Sequence, residues 1–483
     1  MKKLFILLIF PILILGQEFQ SNLPIIVINT NGNNIVDNPR ITSDMGVIFN
    51  DSGINTLTDN YNNYNGKISI EFRGSSSQDV FPKKSYSIET QTHDGENNNV
   101  SLLGLPKEND WILYGAYSDK TLLRNNLTYE LARQMGNYAT KSQYCELFVN
   151  SNYEGVYLLT EKVKRDKNRV DISEFTNNDP LSGGYIIKID KLTESPQDAS
   201  WCSNFTTFND AAVCFQYHYP KPNDITLEQK IYIENYMNEI NSLIKNLSSN
   251  QIDLDEIEKI DFSSFIDYLI ISELSKDVDA YRISVFLHKD SEINNGKIKM
   301  GPVWDYNLSF GNVDFCQSSN ISGWVLEQET SCRTSIPGFW YNLLKNDSFR
   351  DKLINRWSEL RGNTLTFENI FHHIDSIGNY LNVAQTRNFE RWDILGQWVW
   401  PNYQLGLTYQ DELDFLKSWI YHRIKWIDQN INEMRLLFPD CLSSEKQLVQ
   451  ITDQLGKKTV QKKGEPIFYI YDNGCVEKKI ITF

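Results

Sequence analysis

The chain has 483 residues, room for roughly three compact units at about 150 residues each. Apolar residues make up 41% and charged residues 23%, which supports a large core and excludes wholesale disorder. With 47 basic and 62 acidic residues the formal charge is −15, so binding to phosphate backbones is disfavoured and no nucleic-acid partner is expected. Mean hydropathy is −0.43, and no apolar run beyond the N-terminus reaches membrane-spanning length, so no transmembrane segment is expected in the mature chain.

In chain order, Met1-Lys2-Lys3 followed by the apolar stretch Leu4 to Leu15 and Gly16 reads as a secretory signal over residues 1–16, placing the mature protein outside the cell or at its surface. From Leu23 to Asp190 the pattern is mostly that of strands, with clean alternation at Ile68-Ser69-Ile70-Glu71-Phe72 and turn-rich links at 60–66 and 94–99. One helix interrupts them, from Asp119 as N-cap through Leu123, Leu127, Leu131 and Met135 to a glycine stop at Gly136. A capping box at Thr226 and Gln229 opens a helix whose Ile233, Met237, Ile240, Ile244 and Leu247 share a face. Further helices are expected over about 262–276 and from Thr408-x-x-Asp411 onward. Phe286, Phe310, Trp324, Trp340, Trp357, Trp392 and Trp400 read as packing aromatics. Strand, Asp472-Asn473-Gly474 turn and strand end the chain as a hairpin.

The expected fold is therefore α+β and two-lobed, with a β-rich lobe over 17–220, an α-rich lobe over 221–440 and a small β module over 446–483. Seven cysteines in an exported chain point to disulfides. Cys202 with Cys214 and Cys316 with Cys332 suit local staples, Cys441 and Cys475 form a third candidate pair, and Cys145 reads as a free buried thiol.

Three constellations suggest phosphoryl transfer, which needs a phosphate cradle, a lysine and acidic residues for cation and nucleophile. Arg73-Gly74-Ser75-Ser76-Ser77 follows a strand, and its small residues would let backbone N–H groups approach an anion; an ordinary turn is the alternative. In Phe81-Pro82-Lys83-Lys84-Ser85-Tyr86-Ser87-Ile88, period-two alternation puts Lys84 on the apolar face with Tyr86 and Ile88, and Lys83 on the other. Lys84 would need an anionic partner there, unless it is an edge lysine with a snorkelling stem. Glu130 on the lone helix is one partner candidate, its alternative being a local pair with Arg133 or Arg124. Glu161 at a strand end is a nucleotide-pocket candidate. The third is Asp277-Val278-Asp279 past a helix, followed by Trp304-Asp305-Tyr306-Asn307. Asp279 suits a catalytic Asp and Asp305, read as lying in an apolar strand, a cation ligand; a helix-ending residue and a salt-bridged core carboxylate are the alternatives.

These motifs, with Leu122-Leu123-Arg124-Asn125, Gly155-Val156-Tyr157-Leu158-Leu159-Thr160-Glu161 and Ser182-Gly183-Gly184-Tyr185, resemble the spore coat protein H (CotH) kinase family over about residues 23–432. The resemblance implies an atypical kinase that uses ATP with Mg²⁺ or Mn²⁺ and phosphorylates Ser or Thr of secreted or surface proteins, with Asp279 catalytic and Asp305 holding the cation. Lys84, Ser75, Ser76, Glu130 and Glu161 would then surround the nucleotide. Where the family often has Asn five residues after the catalytic Asp and Asp two after the cation Asp, this chain has Ser284 and Asn307, which keep oxygen donors. The tail resembles a type IX secretion sorting domain through Gly456-Lys457-Lys458 and 472–481, implying that secretion machinery as a partner. A kinase-like adhesion module without turnover, and a glycoside hydrolase using Asp279 and Asp305, are the competing readings.

Overall fold

The computed structural model describes residues 19–176, 179–192, 198–207, 210–249, 252–327, 336–437, 447–453, 457–460, 466–471 and 476–480. The expected signal segment, Cys332, Cys441 and Cys475 fall outside them. The chain is mixed α and β and divides into two compact units, one made of residues 1–116, 142–161 and 379–393, the other of 117–141, 162–378 and 394–483.

The first unit is built on strands β1 (Gln20–Ser21), β2 (Ile25–Asn29), β3 (Ile41–Ile48), β4 (Asn55–Thr56), β5 (Tyr64–Arg73), β6 (Ser85–Gln91), β7 (Asp110–Tyr114), β8 (Ser142–Val149) and β9 (Asn152–Glu161). Seven of them close a barrel in the order β2-β3-β5-β6-β7-β9-β8, sealed by parallel pairing of β2 with β8. Side chains two apart on a strand share a face, and the barrel interior is filled accordingly by Ile26 and Ile28, Met45 and Val47, Ile68 and Ile70, Trp111 and Leu113, Cys145 and Leu147, and Tyr157 and Leu159. Burying each large side chain is worth about 1.5–3 kcal/mol, so this layer carries the unit. Cys145 is the buried free thiol expected from its strand. Outside the barrel, Arg40 bridges Glu71 and Glu89 at 2.8 Å each.

The end of the helix Phe367–Arg391 also belongs to this unit. Arg387 grips the fully buried Glu146 with two bonds, at 2.9 and 2.6 Å. Asn388 accepts the Val156 N–H at 3.1 Å. Gly155, at φ +101°, permits this approach, because a Cβ there would sit 2.5 Å from Asn388 Oδ1.

The second unit holds the antiparallel sheet β11-β12-β10-β13-β14, from β10 (Tyr185–Ile189), β11 (Ser200–Thr206), β12 (Ala212–Tyr219), β13 (Val285–Lys289) and β14 (Lys299–Met300). The division of the chain therefore does not fall at residue 220. Strands 185–219 pair through β10 with β13, far along the chain, and are drawn into the helical unit. Cys202 and Cys214 face each other across β11 and β12 and form a disulfide, one of the expected staples.

Of the helices, α1 (Ser76–Val80) belongs to the first unit, and α2 (Arg124–Gln134), α3 (Leu227–Ser248) and α4 (Phe262–Ser275) to the second. On α2 the leucine stripe is buried and Gly136 ends the helix at φ +96°. Its N-cap is Leu123, and Asp119 caps the start from a distance by accepting the Arg124 N–H at 2.9 Å. The capping box of α3 and that of the helix Tyr409–Asn430 both form, and the expected apolar faces are buried. Trp340, Phe310, Trp324 and Trp357 are core residues, whereas Trp400 is exposed and Trp392 half-buried. At the end of the chain, β15 (Leu448–Thr452), β16 (Pro466–Tyr471) and β17 (Val476–Ile480) form a three-stranded antiparallel sheet that contains the expected hairpin. No described helix is long and apolar enough to cross a membrane.

Candidate active site

The acidic residues singled out in sequence lie on the segments that flank β13 in the second unit. Helix α4 ends at Lys276, which takes a left-handed conformation at φ +48° and turns the chain into Asp277-Val278-Asp279. Tyr281 at φ +72° and Ser284 at φ +57° follow, and Asp305 stands at φ +65° after β14. Non-glycine residues adopt this conformation at a cost and collect where the surrounding packing overrides it. The overriding contacts are visible. The fully buried Tyr281 donates its hydroxyl to Glu273 Oε1 at 3.0 Å, and the Asp305 N–H donates to the Tyr129 hydroxyl at 3.2 Å. Tyr129 in turn stacks on Trp304, ring centroids 6.1 Å apart.

Around Glu273 a buried network fixes the same loop from below. The Glu273 carboxylate accepts the Val325 and Leu326 N–H groups at 2.7 and 3.3 Å. Arg423, fully buried, donates to the Glu273 carbonyl at 2.9 and 2.7 Å and to the carbonyls of Ile321 and Gly323 at 2.7 Å. Lys276 Nζ donates to the carbonyls of Asn320 and Ser322 at 3.0 and 2.5 Å. Burial, reinforced by the Arg423 charge, pulls that ammonium down to about 7.

Asp279 keeps about a quarter of its side chain exposed, at 26%, and its Oδ1 accepts from Arg282 Nη2 at 3.1 Å. Burial pushes its carboxyl above the usual range, with Asp190 adding to the rise while Arg282 and Lys191 oppose it. Asp277, which the sequence reading passed over, is buried, and burial together with the charges of Asp279 and Asp305 raises its pKa well above normal. A buried carboxylate that feels the charge of two others, opposed by an arginine, is the signature of a site that expects a cation or holds a proton.

Asp305 does not lie in an apolar strand. It sits in irregular chain after β14 and is exposed, between the half-buried Trp304 and the buried Tyr306. Ser284 and Asn307 are both half-buried on the same two segments. Among the described residues no group of three or more His, Cys, Asp and Glu side chains is placed to hold a metal ion by itself. Mg²⁺ commonly takes one or two carboxylates and completes its shell with phosphates and water, and a buried Asp277 Oδ1 without a hydrogen-bond partner fits that demand.

The nucleotide candidates divide between the units. Ser75 and Ser76 are exposed at the start of the five-residue helix α1, after Gly74 at φ +109°. Lys84 precedes β6, so strand alternation does not reach it. Its half-exposed amine turns back to the carbonyls of Gln78 and, at 2.7 Å, Phe81. Lys83 is the buried lysine of the pair, contrary to the alternation argument. Glu161 is fully buried at the end of β9, in register with Trp111. Glu130, in the second unit, accepts from Arg133 at 2.7 Å and Gln134 at 2.8 Å, the local pairing weighed as its alternative. A cavity of about 1120 Å³ in the second unit lies elsewhere, against Asp261, His288, Asp290, Lys299 and Arg356. A smaller one of about 220 Å³ reaches Gly301 to Val303, just ahead of Asp305.

The family model described as CotH kinase protein matches residues 70–427, more than half of the chain, and spans the barrel from β5 onward, the acidic loops and the helix Tyr409–Asn430. The chain belongs to the CotH kinase family. Membership supports the general class of an atypical kinase for the segments that carry Asp279 and Asp305. Among solved structures, the chain is similar to the crystal structure of a Helicobacter pylori proinflammatory kinase, CtkA, at 10% identity and a TM-score of 0.30, over 72% of this chain and 94% of that one. No curated protein matches.

Proposed function

We propose that this CotH-family protein is an exported kinase that transfers the γ-phosphate of ATP to Ser or Thr of secreted or surface proteins. The carrying observation is the cluster of Asp277, Asp279 and Asp305 on loops that adopt costly backbone conformations inside the family-matched region. Asp279, tethered by Arg282 and partly open to solvent, is suited to orient the acceptor hydroxyl and take its proton. Asp305, with Asn307 and Ser284, would hold Mg²⁺ or Mn²⁺ against the phosphates, and the cation supplies neutralisation of the charge that builds there. Lys84, Ser75 and Ser76 are assigned to phosphate contacts, and Glu130 and Glu161 to positioning on the nucleotide side. The N-terminal sixteen residues and the C-terminal strands serve export and type IX sorting in this proposal.

One pair of substitutions tests it. Asp305→Ala should lose metal-dependent ATP affinity together with transfer, whereas Asp279→Asn should keep most of the affinity and lose transfer by about 10²-fold or more. Absence of both nucleotide binding and label transfer in the wild type, with Mg²⁺ and with Mn²⁺, removes the kinase reading.

A second reading, a surface adhesion module without turnover, draws on one observation. Trp398, Trp400, Tyr403, Leu405 and Leu407 are exposed within ten residues of one another, more apolar surface than an isolated loop needs. Under that reading both aspartate variants retain full attachment to the ligand surface.

A further inference from the structure

We propose that Asp277 is a further ligand of the divalent cation in this site, binding through its Oδ1 alongside Asp305. The proposal rests on the kinase reading above and adds a residue to it. Asp277 is 2% exposed, and its Oδ1 has no hydrogen-bond partner among the described residues. The Asp279 N–H interacts favourably with the carboxylate, but this leaves Oδ1 without a partner.

An unsatisfied buried carboxylate oxygen costs about 1–3 kcal/mol or more, and neighbours of the same sign raise the cost. Asp279 and Asp305 both act on Asp277 electrostatically. Arg282, whose charge favours the Asp277 carboxylate, is committed to Asp279 Oδ1 and to the Val278 carbonyl, at 3.1 and 3.0 Å. The loop thus keeps a buried oxygen where no described residue gives it a hydrogen bond. Replacing Asp277 by an apolar residue of similar size would relieve this cost, so its presence calls for a partner from outside the chain. A hard divalent cation is the chemical match for a vacant carboxylate oxygen near a second, exposed carboxylate, and the exposed Asp305 offers its entry. The same donor set explains how Asn307 can stand two residues after Asp305 without starving the cation of charge, since the second carboxylate comes from the other segment.

The experiment is Mn²⁺ titration of the full chain by electron paramagnetic resonance, with a non-hydrolysable ATP analogue, on wild type, Asp277→Asn, Asp279→Asn and Asp305→Asn. Asp277→Asn should weaken Mn²⁺ binding about tenfold or more, while Asp279→Asn changes it by less than about threefold. Without metal, Asp277→Asn should melt at or above the wild-type temperature, and the rise in melting temperature caused by Mn²⁺ with analogue should shrink. If Asp277→Asn binds Mn²⁺ as tightly as wild type while Asp305→Asn does not, Asp277 is not a ligand and the kinase reading stands. If the wild type itself binds no Mn²⁺ in the presence of analogue, the kinase reading has failed and this proposal with it. Should Asp277→Asn not fold, the infrared difference spectrum of aspartate-labelled wild type on Mn²⁺ addition decides: two shifted carboxylates support the proposal and one overturns it.

Discussion

Lys83 Nζ donates to Asn388 Oδ1 at 2.8 Å, joining positions 305 residues apart within the barrel unit. The same ammonium reaches the carbonyls of Val156 at 2.6 Å and Ala116 at 3.4 Å, and lies 4.9 Å from the centre of the Tyr157 ring. Burial pulls its pKa down to about 7, more than the opposing charges around it, Glu154 among them, restore. In the unfolded chain a lysine titrates near 10.4, so between about pH 7 and 10.4 the unfolded state holds a proton that the native state lacks. Stability contributed by this group therefore rises with pH through that window. Lys83→Met should cost about 1–3 kcal/mol from the partners left without a donor. The gap to wild type should widen from about pH 7 to about pH 9.5 in urea unfolding; a gap that stays constant removes the titration argument.

Lys84 behaves differently, because its half-exposed amine rests on the carbonyls of Gln78 in α1 and of Phe81 just after it. Lys84→Ala should leave the melting temperature within about 2 °C of wild type and, on the kinase reading, weaken ATP binding about tenfold, or 1.4 kcal/mol. Calorimetric titration with ATP and Mn²⁺ checks this. A variant that binds as well as wild type takes Lys84 out of the nucleotide site.

The Glu273–Arg423 pair should be a stability determinant of the second unit. Both side chains are buried, the carboxylate serves two N–H groups and the Tyr281 hydroxyl, and the guanidinium serves four carbonyl contacts. Glu273→Gln or Arg423→Met should each destabilise by about 3–5 kcal/mol, as expected when one partner of a buried pair is removed. The double variant should cost clearly less than the sum. Additive losses would mean that the two side chains act independently.

Deleting residues 446–483 should leave a folded body and, if the tail is a sorting address, stop the protein before the cell surface. Fractionation of cells that express the truncated chain, with far-ultraviolet dichroism of the purified product, separates the outcomes. Normal surface arrival removes the sorting role, and an unfolded product shows that the terminal strands support the body.

Local periodicity and capping chemistry were enough to place α3 from Thr226 and Gln229, the helix from Thr408 and Asp411, the end of α2 at Gly136 and the C-terminal hairpin. These signals act within a few residues, so they survive without knowledge of the fold. Asp279 and Asp305 stood out in the sequence because acidic residues beside apolar runs demand an explanation wherever they occur. What tertiary structure decided were pairings across long stretches of chain. The pairing of β10 with β13 moved strands 185–219 into the helical unit. Lys83 was buried in place of Lys84 because β6 begins only at Ser85, and because Asn388, from a helix near the end of the chain, supplied an acceptor. Asp277 became notable only when its burial, an unpartnered oxygen and the charge of Asp305 acting on it were known together. Alternation specifies which side of a strand a residue takes; which partners wait on that side depends on chain closure over hundreds of residues, and no local pattern encodes it.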